Sequence, residues 1–218
     1  MAHVAPLSIE DMPELAPIFE GPKAAMGFVP NSMLTMARMP QLTIAFNMMV
    51  NVAFGGDLKP MIEALAPLVP EQGDAGENLA PELVQLISFA TSLAAGCRYC
   101  QAHTSHNLER FGGDAQKIAH ILEYETDPAY SDAERAVLTL AFAAARVPNE
   151  SEAAHFESVR EHFSERQIVQ IVAIISMFGF LNRWNDTMAT ELEGPAVAFA
   201  ESALGHVDWT LGKHGSNA

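Results

Sequence analysis

The stretch SLAAGCRYCQAHTSHNLERFGG, residues 92–113, determines both the fold and the chemistry expected of this chain. It holds the two cysteines of the sequence, Cys97 and Cys100, in a C-x-x-C spacing, and His103 follows three residues later. Two alanines and a glycine before Cys97 indicate a break between helices, so both cysteines are expected in the first turn of the second helix. A helix N-terminus, a neighbouring thiol and an imidazole each lower the pKa of a thiol. The stretch therefore predicts an activated thiol pair.

Two other interpretations of the cysteines stay open at this point. Free cysteines are often small buried hydrophobic residues, and Cys97, Cys100, His103 and His106 are all residue types that bind zinc. Successive steps of three residues turn round a helix, so His106 ends nearly opposite Cys97, and one helix cannot close a tetrahedral site. Redox chemistry is therefore favoured. The candidate catalytic residues are Cys100, Cys97 and His103, and no metal or cofactor is expected.

Composition narrows the classes of partner. The 218 residues carry 12 Lys and Arg against 27 Asp and Glu, a formal net charge of −15, which argues against nucleic acid and anionic membrane surfaces as partners. The chain has no signal-peptide pattern at its start, and its cysteine usage predicts a cytoplasmic protein. The most apolar segment, residues 168–184, contains polar side chains and is expected to be a buried or interface helix. A hydrophobic content of 49% favours a homo-oligomer.

Hydrophobic spacing and capping signals predict helices along most of the chain. The longest are expected at about 81–94, 98–111 and 164–193. Three helix starts have the capping-box pattern, in which a cap residue precedes an acid or amide by three positions: Ser131 with Glu134, Asn149 with Glu152, and Ser164 with Gln167. No stretch alternates with a period of two between turn signals, so the predicted fold is all-α.

The distribution of prolines and glycines predicts the domain organisation. Residues 1–30 are rich in both and are expected to form an extended N-terminal arm. Residues 31–205 are predicted to be a single all-helical domain that carries the motif at 97–100. Residues 206–218 are predicted to be a polar C-terminal tail.

Several segments together resemble a known family. They are GCRYCQAHT around the two cysteines, GFVPNSMLTMARMPQL at 27–42, SDAERAVLTLA at 131–141 and GFLNRWNDTMATELE at 179–193. With these segments, roughly residues 25–193 resemble the carboxymuconolactone decarboxylase family in its alkylhydroperoxidase D-like, peroxidase-related branch. The resemblance implies a helical bundle of two similar halves that assembles into a trimer, a hexamer or a related oligomer.

The resemblance also implies roles for the thiols. Cys100 would be the peroxidatic thiolate that attacks the hydroperoxide, and Cys97 would resolve the sulfenic acid as a disulfide. The family's proton relay uses a histidine four residues after the second cysteine and a glutamate twelve before the first. Those positions are occupied by Thr104 and Gln85, with His103 one residue from the histidine position.

The expected function is therefore a thiol-dependent peroxidase or disulfide oxidoreductase that reduces alkyl or hydrogen peroxide. Its expected reductant is a dithiol or a lipoyl-bearing protein, as the resemblance implies. Two alternatives accompany it. One is a non-enzymatic redox switch or binding protein that uses the same cysteines, and the other is a lyase resembling carboxymuconolactone decarboxylase.

Overall fold

A computed structural model of the chain describes residues 2–71 and 75–215. Within these ranges the regular structure consists of helices and 3-10 turns, without strands, which confirms the all-α prediction. The α-helices within residues 2–71 are α1 Ala16–Met26, α2 Asn31–Met36, α3 Pro40–Ala53 and α4 Leu58–Leu65. Those after it are α5 Pro81–Ala95, α6 Arg98–Arg110, α7 Ala115–Ala119, α8 Asp132–Ala144, α9 Ala153–Arg160, α10 Glu165–Met188 and α11 Gly194–Ala203.

The chain forms two compact units where a single domain was predicted. The first unit is built from the chain up to Asn78 together with Glu165–Val169, and the second from Leu79–Ser164 with residues from Gln170 onward. The buried cluster of the first unit is rich in aliphatic side chains and methionine: Met12, Leu15, Ile18, Phe19, Met33, Ala37, Ile44 and Leu65. In the second unit α5 packs against α6 and α8.

The extended arm predicted for residues 1–30 is wrong, because helix α1 lies within it. Proline is tolerated at the first helical positions, where its missing N–H has no intrahelical partner, and Pro17 occupies such a position. Pro22 lies inside α1, where proline normally weakens a helix. Burial of Ile18 and Phe19, which are 4% and 1% exposed, stabilises the helix against that cost.

The predicted polar C-terminal tail is also wrong for the residues that the structure describes there. Trp209 and His214 are buried, and 3-10 turns lie at Gly205–Val207 and Gly212–His214. The indole N–H of Trp209 donates to the Arg98 carbonyl at 3.0 Å, and the Leu192 N–H donates to the His214 carbonyl at 2.9 Å. The first bond attaches the C-terminal segment to the start of α6, and the second attaches it to the chain between α10 and α11. Residues 216–218 lie outside the described ranges.

The long apolar helix α10 has a large exposed apolar surface. By length and composition it could cross a membrane, and 28% of its most apolar window is buried. Met177, Phe180, Trp184 and Met188 are all more than two fifths exposed. The apolar face of α10 is therefore buried at Ile168 and Ile171 but exposed further along the helix. The prediction of a buried helix is confirmed only for its first half.

Helix starts were predicted with mixed success. At α8 the capping box is present: the Glu134 N–H donates to Ser131 Oγ at 3.3 Å, and the Ser131 N–H donates to Glu134 Oε2 at 2.9 Å. The start predicted at Asn149 is wrong. The Asn149 side chain accepts the Ser151 N–H instead, and α9 begins at Ala153, after Glu152 as its N-cap.

Replacing Ser131 with alanine should lower the free energy of unfolding by about 1 kcal/mol, because the N-terminal N–H groups of α8 lose their side-chain acceptor. Urea denaturation would measure the change. Ser158→Ala is the matched control, since Ser158 is exposed within α9 and no capping bond is recorded for its side chain. An equal loss in both variants would contradict a capping role for Ser131.

Candidate thiol site

The two cysteines lie at the turn between α5 and α6. Helix α5 ends at Gly96, which has a φ of 76°, a left-handed conformation that glycine adopts without steric cost. Cys97 is the N-cap of α6, and its sulfur accepts the Cys100 N–H at 3.4 Å. The predicted helix break and the placement of the motif at the start of the next helix are both found.

Both cysteines are free and deeply buried, with Cys97 0% and Cys100 3% exposed. A hydrogen bond from the Cys100 thiol lowers the pKa of Cys97 against the effect of burial, and the Cys100 backbone N–H lowers it further. Donating that hydrogen bond and being buried raise the pKa of Cys100 well above its ordinary value. The thiolate is therefore expected at Cys97. The family resemblance implied the thiolate at Cys100, whereas these pKa shifts favour Cys97, whose sulfur accepts the Cys100 N–H at the N-cap.

Helix α10 supplies two polar groups to the thiols. The Asn185 amide donates to the Cys100 sulfur at 3.5 Å. One helical position later is Asp186, and the Cys97 sulfur, an Asp186 carboxylate oxygen and a ring nitrogen of His214 lie within 4.8 Å of one another. Asn185, Asp186 and His214 were not predicted from the sequence as site residues. They are separated from the cysteines by 85 to 117 residues in the sequence. No local sequence spacing therefore predicts that they contact the thiols.

The hydrogen bonds of His214 fix which ring nitrogen can accept a proton. Its Nδ1 lies 2.8 Å from the Thr190 carbonyl, which can only accept, so Nδ1 carries a proton. Its Nε2 lies 3.2 Å from Asp186 Oδ1. Nε2 is therefore the ring nitrogen that faces Asp186, and a proton on it would be donated to that carboxylate. His214 is 1% exposed, whereas the Asp186 side chain is 36% exposed.

His103, the predicted catalytic histidine, contacts a different group. Its Nε2 lies 2.7 Å from Glu193 Oε2, and its ring centroid is 4.6 Å from that of Tyr99. Among the described residues no hydrogen bond joins His103 to either thiol. Burial and the Glu193 carboxylate raise the pKa of Tyr99 to about 12, so this phenol stays protonated and donates to Glu193 at 3.1 Å. His103 thus belongs to a cluster beside the thiols, and its catalytic role stays a prediction.

Gln85, at the family's glutamate position, and Glu82, the acidic residue about one turn before it on α5, do not contact the thiols either. Gln85 is half-buried and Glu82 is exposed, both near the N-terminal end of α5, whereas Cys97 follows its C-terminal end. No hydrogen bond in the described part of the chain links Gln85 or Glu82 to Cys97 or Cys100.

The Cys97, Asp186 and His214 side chains are also donor types that metal ions take. However, the Lys213 ammonium lies 3.6 Å from the same Asp186 oxygen and already provides a positive charge there. A metal bound to Cys97 would also remove the nucleophile from its partner Cys100. The three groups are better suited to proton transfer than to metal binding.

The pKa of Cys97 can be tested directly. Its thiolate should form below the ordinary thiol pKa of 9.0, so ultraviolet thiolate absorbance should rise at lower pH than for a free cysteine. Cys100→Ala removes the thiol donor and should move this rise to higher pH, each pKa unit lowering the thiolate fraction at neutral pH about tenfold. Cys100→Ser, which keeps an O–H donor, is the control. A rise that does not move in Cys100→Ala would contradict the proposed cause.

Comparison with known proteins agrees with this fold. The sequence profile of the carboxymuconolactone decarboxylase family matches residues 71–143, which include the C-x-x-C motif. The uncharacterised Escherichia coli protein YnjA is 25% identical over 116 residues, and the match spans 53% of this chain and 64% of YnjA, less than two thirds of that relative.

Two solved structures extend the comparison. The debrominase Bmp8, as a cysteine-to-alanine variant in complex with 2,3,4-tribromopyrrole, is 32% identical with a TM-score of 0.54, covering 93% of this chain and 98% of Bmp8. ATU0492 from Agrobacterium tumefaciens, a protein of unknown function for which a role as the antioxidant defence protein AhpD has been suggested, is 23% identical with a TM-score of 0.50. That match covers 63% of this chain and 91% of ATU0492. The chain belongs to the carboxymuconolactone decarboxylase family and has the fold of its alkylhydroperoxidase D-like members.

Proposed function

We propose that this chain is a thiol-dependent oxidoreductase that reduces alkyl or hydrogen peroxide through the Cys97–Cys100 dithiol. The observation that carries the proposal is the pair of unequal thiols at the start of α6. The pKa of Cys97 is lowered by hydrogen bonds, and Cys100 stays protonated beside it. A nucleophilic thiolate with an adjacent thiol to resolve its oxidised form is what peroxide reduction requires.

The proposed reaction begins with ionisation of Cys97. His214 takes its proton at Nε2, and Asp186 stabilises the resulting imidazolium. The thiolate attacks the peroxide, an S–O bond forms, and the O–O bond breaks. The leaving alkoxide takes the proton from His214 and departs as an alcohol, or as water when the substrate is hydrogen peroxide. Cys97 is then a sulfenic acid, oxidised by two electrons.

The second thiol completes the cycle. Cys100 attacks the Cys97 sulfenic sulfur, an S–S bond forms, and the S–O bond breaks. The hydroxyl leaves as water with the Cys100 proton. An external dithiol, such as a lipoyl-bearing protein, then reduces the disulfide by thiol–disulfide exchange and takes up the two oxidising equivalents. This order of attack reverses the roles that the family resemblance implied for the two cysteines.

A direct test uses one equivalent of a hydroperoxide. Intact-mass analysis should show the loss of two hydrogen atoms per chain, with peptide mapping locating the disulfide at Cys97 and Cys100. Continued consumption of hydroperoxide when a dithiol is supplied would distinguish an enzyme from a redox switch that reacts once. Absence of the disulfide would contradict the proposal and would leave the lyase alternative, which needs no thiol.

Reductive debromination is a second candidate, favoured by the similarity to Bmp8 over 93% of this chain. The same dithiol has the required electrons: an aryl bromide and two thiols give the aryl C–H compound, a disulfide, bromide and a proton. The thiolate of Cys97 would take the bromine, and Cys100 would displace bromide as the disulfide forms. Bromide release from 2,3,4-tribromopyrrole in the presence of a dithiol tests it.

We also propose that the protein is a cytoplasmic homo-oligomer, a trimer, a hexamer or a related assembly. The exposed apolar residues of α10 support self-association, because a second copy would remove them from water. Light scattering at micromolar concentration would measure the assembly mass, and a monomer would contradict this part of the proposal.

A further inference from the structure

A cavity of about 500 Å³ lies in the second unit, beside the C-terminal end of α5. Its walls combine small apolar side chains, including Ala94, Ala95 and Val147, with polar side chains from α10 and the C-terminal segment. This volume is in the range of cavities that hold small organic ligands. The apolar portion suits a compact hydrocarbon body.

The cavity is close to the reactive sulfur. Asp186 lines it, and the Asp186 carboxylate lies within 4.8 Å of the Cys97 sulfur. Ala95, which also lines it, precedes Cys97 by two residues. A molecule bound here would therefore lie near the buried thiol.

The charge of the cavity is opposite to that of the chain. The protein has a formal net charge of −15, yet both Arg183 and Lys213 line this cavity. The single lining carboxylate, Asp186, already contacts the Lys213 ammonium at 3.6 Å and His214 Nε2 at 3.2 Å. Arg183 makes no ion pair with any residue in the described ranges. A cation without a partner beside a cavity favours an anionic ligand.

An unpartnered amide in the cavity wall provides an independent observation. Asn182 is 4% exposed and lines the cavity, and both its amide nitrogen and its amide oxygen are buried without a hydrogen-bond partner among the described residues. Buried polar groups are nearly always hydrogen-bonded, because leaving them unpaired costs free energy. An orphaned amide at a cavity is expected where a ligand supplies the missing partner.

We propose that this cavity binds a small organic anion, a carboxylate on a compact apolar body, as the substrate class of the thiol site. The Arg183 guanidinium and the Lys213 ammonium attract the carboxylate, and the Asn182 amide hydrogen-bonds the ligand. The apolar wall accommodates the remainder of the molecule. This inference rests on the proposed function for turnover, but binding of the anion can be measured without it.

The kinetic test compares a tertiary alkyl hydroperoxide that bears a terminal carboxylate with its methyl ester. The wild-type protein should prefer the carboxylate in kcat/KM, and Arg183→Gln should reduce that preference about tenfold, since a hydrogen bond to a charged group is lost. Arg110→Gln is the matched control, because Arg110 is exposed on α6 and does not line the cavity. Equal preference in wild type and Arg183→Gln would overturn the inference.

The binding test uses benzoate, which cannot be reduced. Calorimetry should detect benzoate binding to the wild type, with affinity about tenfold weaker in Arg183→Gln. Asn182→Ala should also weaken binding without lowering the Tm, because the amide it removes has no partner in the free protein. Benzoate binding without peroxide reduction would refute the proposed function alone. Peroxide reduction without benzoate binding or carboxylate preference would refute this inference alone.

Discussion

Replacing Cys97 with serine should abolish fast peroxide reduction, with a loss on the order of 10³-fold to 10⁶-fold, because a serine hydroxyl is not ionised near neutral pH. Replacing Cys100 with serine should instead preserve one fast reaction per chain and stop further turnover. The difference follows from the thiol order proposed for the start of α6, where hydrogen bonds from Cys100 lower the pKa of Cys97, and donation to Cys97 together with burial raises the pKa of Cys100. Stopped-flow measurement of single-turnover peroxide consumption would separate the two steps.

A sulfenic-acid probe provides the control for this experiment. In Cys100→Ser the probe should label Cys97, because no second thiol resolves the sulfenic acid. In Cys97→Ser the slow residual reaction should leave little label at Cys100. Fast labelling of Cys100 in Cys97→Ser would show that the order implied by the family resemblance holds for this chain, and that the hydrogen bonds at the N-cap do not decide the nucleophile.

The position of the thiol pair could be predicted from the sequence because it depends on local signals. The glycine that ends α5 and the C-x-x-C that follows it are contiguous, and the predicted helices at 81–94 and 98–111 are found at Pro81–Ala95 and Arg98–Arg110. The pKa order of the thiols could not be predicted in the same way. It depends on which sulfur accepts hydrogen bonds at the N-cap, a detail of side-chain geometry within one turn.

The proton-transfer residues could not be identified because they are distant in the sequence. His214 lies in a segment whose composition indicated a polar tail, and Asp186 lies in the segment 179–193, which supported the family resemblance without a role for any of its side chains. The early end of α10 also made the contact between His214 and Thr190 impossible to predict from the sequence. The helix was expected to continue to about residue 193, but it ends at Met188, and Ala189 follows in a left-handed conformation with a φ of 48°. Thr190 then accepts from His214, an arrangement that a continued helix would not provide.

The same early helix end explains why His103 does not contact a thiol. The segment after Met188 brings Glu193 to the exposed side of α6, where it hydrogen-bonds both His103 and Tyr99. Burial opposes ionisation of Glu193, but hydrogen bonds from its own backbone and from His103 hold the pKa of its carboxyl below the ordinary value. A carboxylate at this position is a stronger attraction for an imidazole than a neutral thiol at Cys100.

Replacing Asp186 with asparagine, or His214 with glutamine, should lower kcat/KM for peroxide by roughly 10²-fold to 10⁴-fold, the usual contribution of general acid–base catalysis. The physical reason is the same for both variants. Without the carboxylate the imidazolium is not stabilised, and without the imidazole the leaving alkoxide has no nearby proton donor. The measurement is kcat/KM as a function of pH for the wild type and both variants. The part of the profile that depends on the proton-transfer group should shift or disappear in the variants.

Stability must be separated from catalysis here, because His214 is buried and bonded to Thr190. Asp186→Asn keeps the size of the side chain, and its Tm should stay close to that of the wild type. Asp127→Asn, which removes the ion pair of Asp127 with His120 away from the thiols, should leave the pH profile unchanged.

His103→Ala decides between the two histidines: a small effect on kcat/KM is expected, since His103 contacts Glu193 and neither thiol. If His103→Ala reduces kcat/KM as strongly as His214→Gln does, the proton path runs through His103, as the sequence predicted.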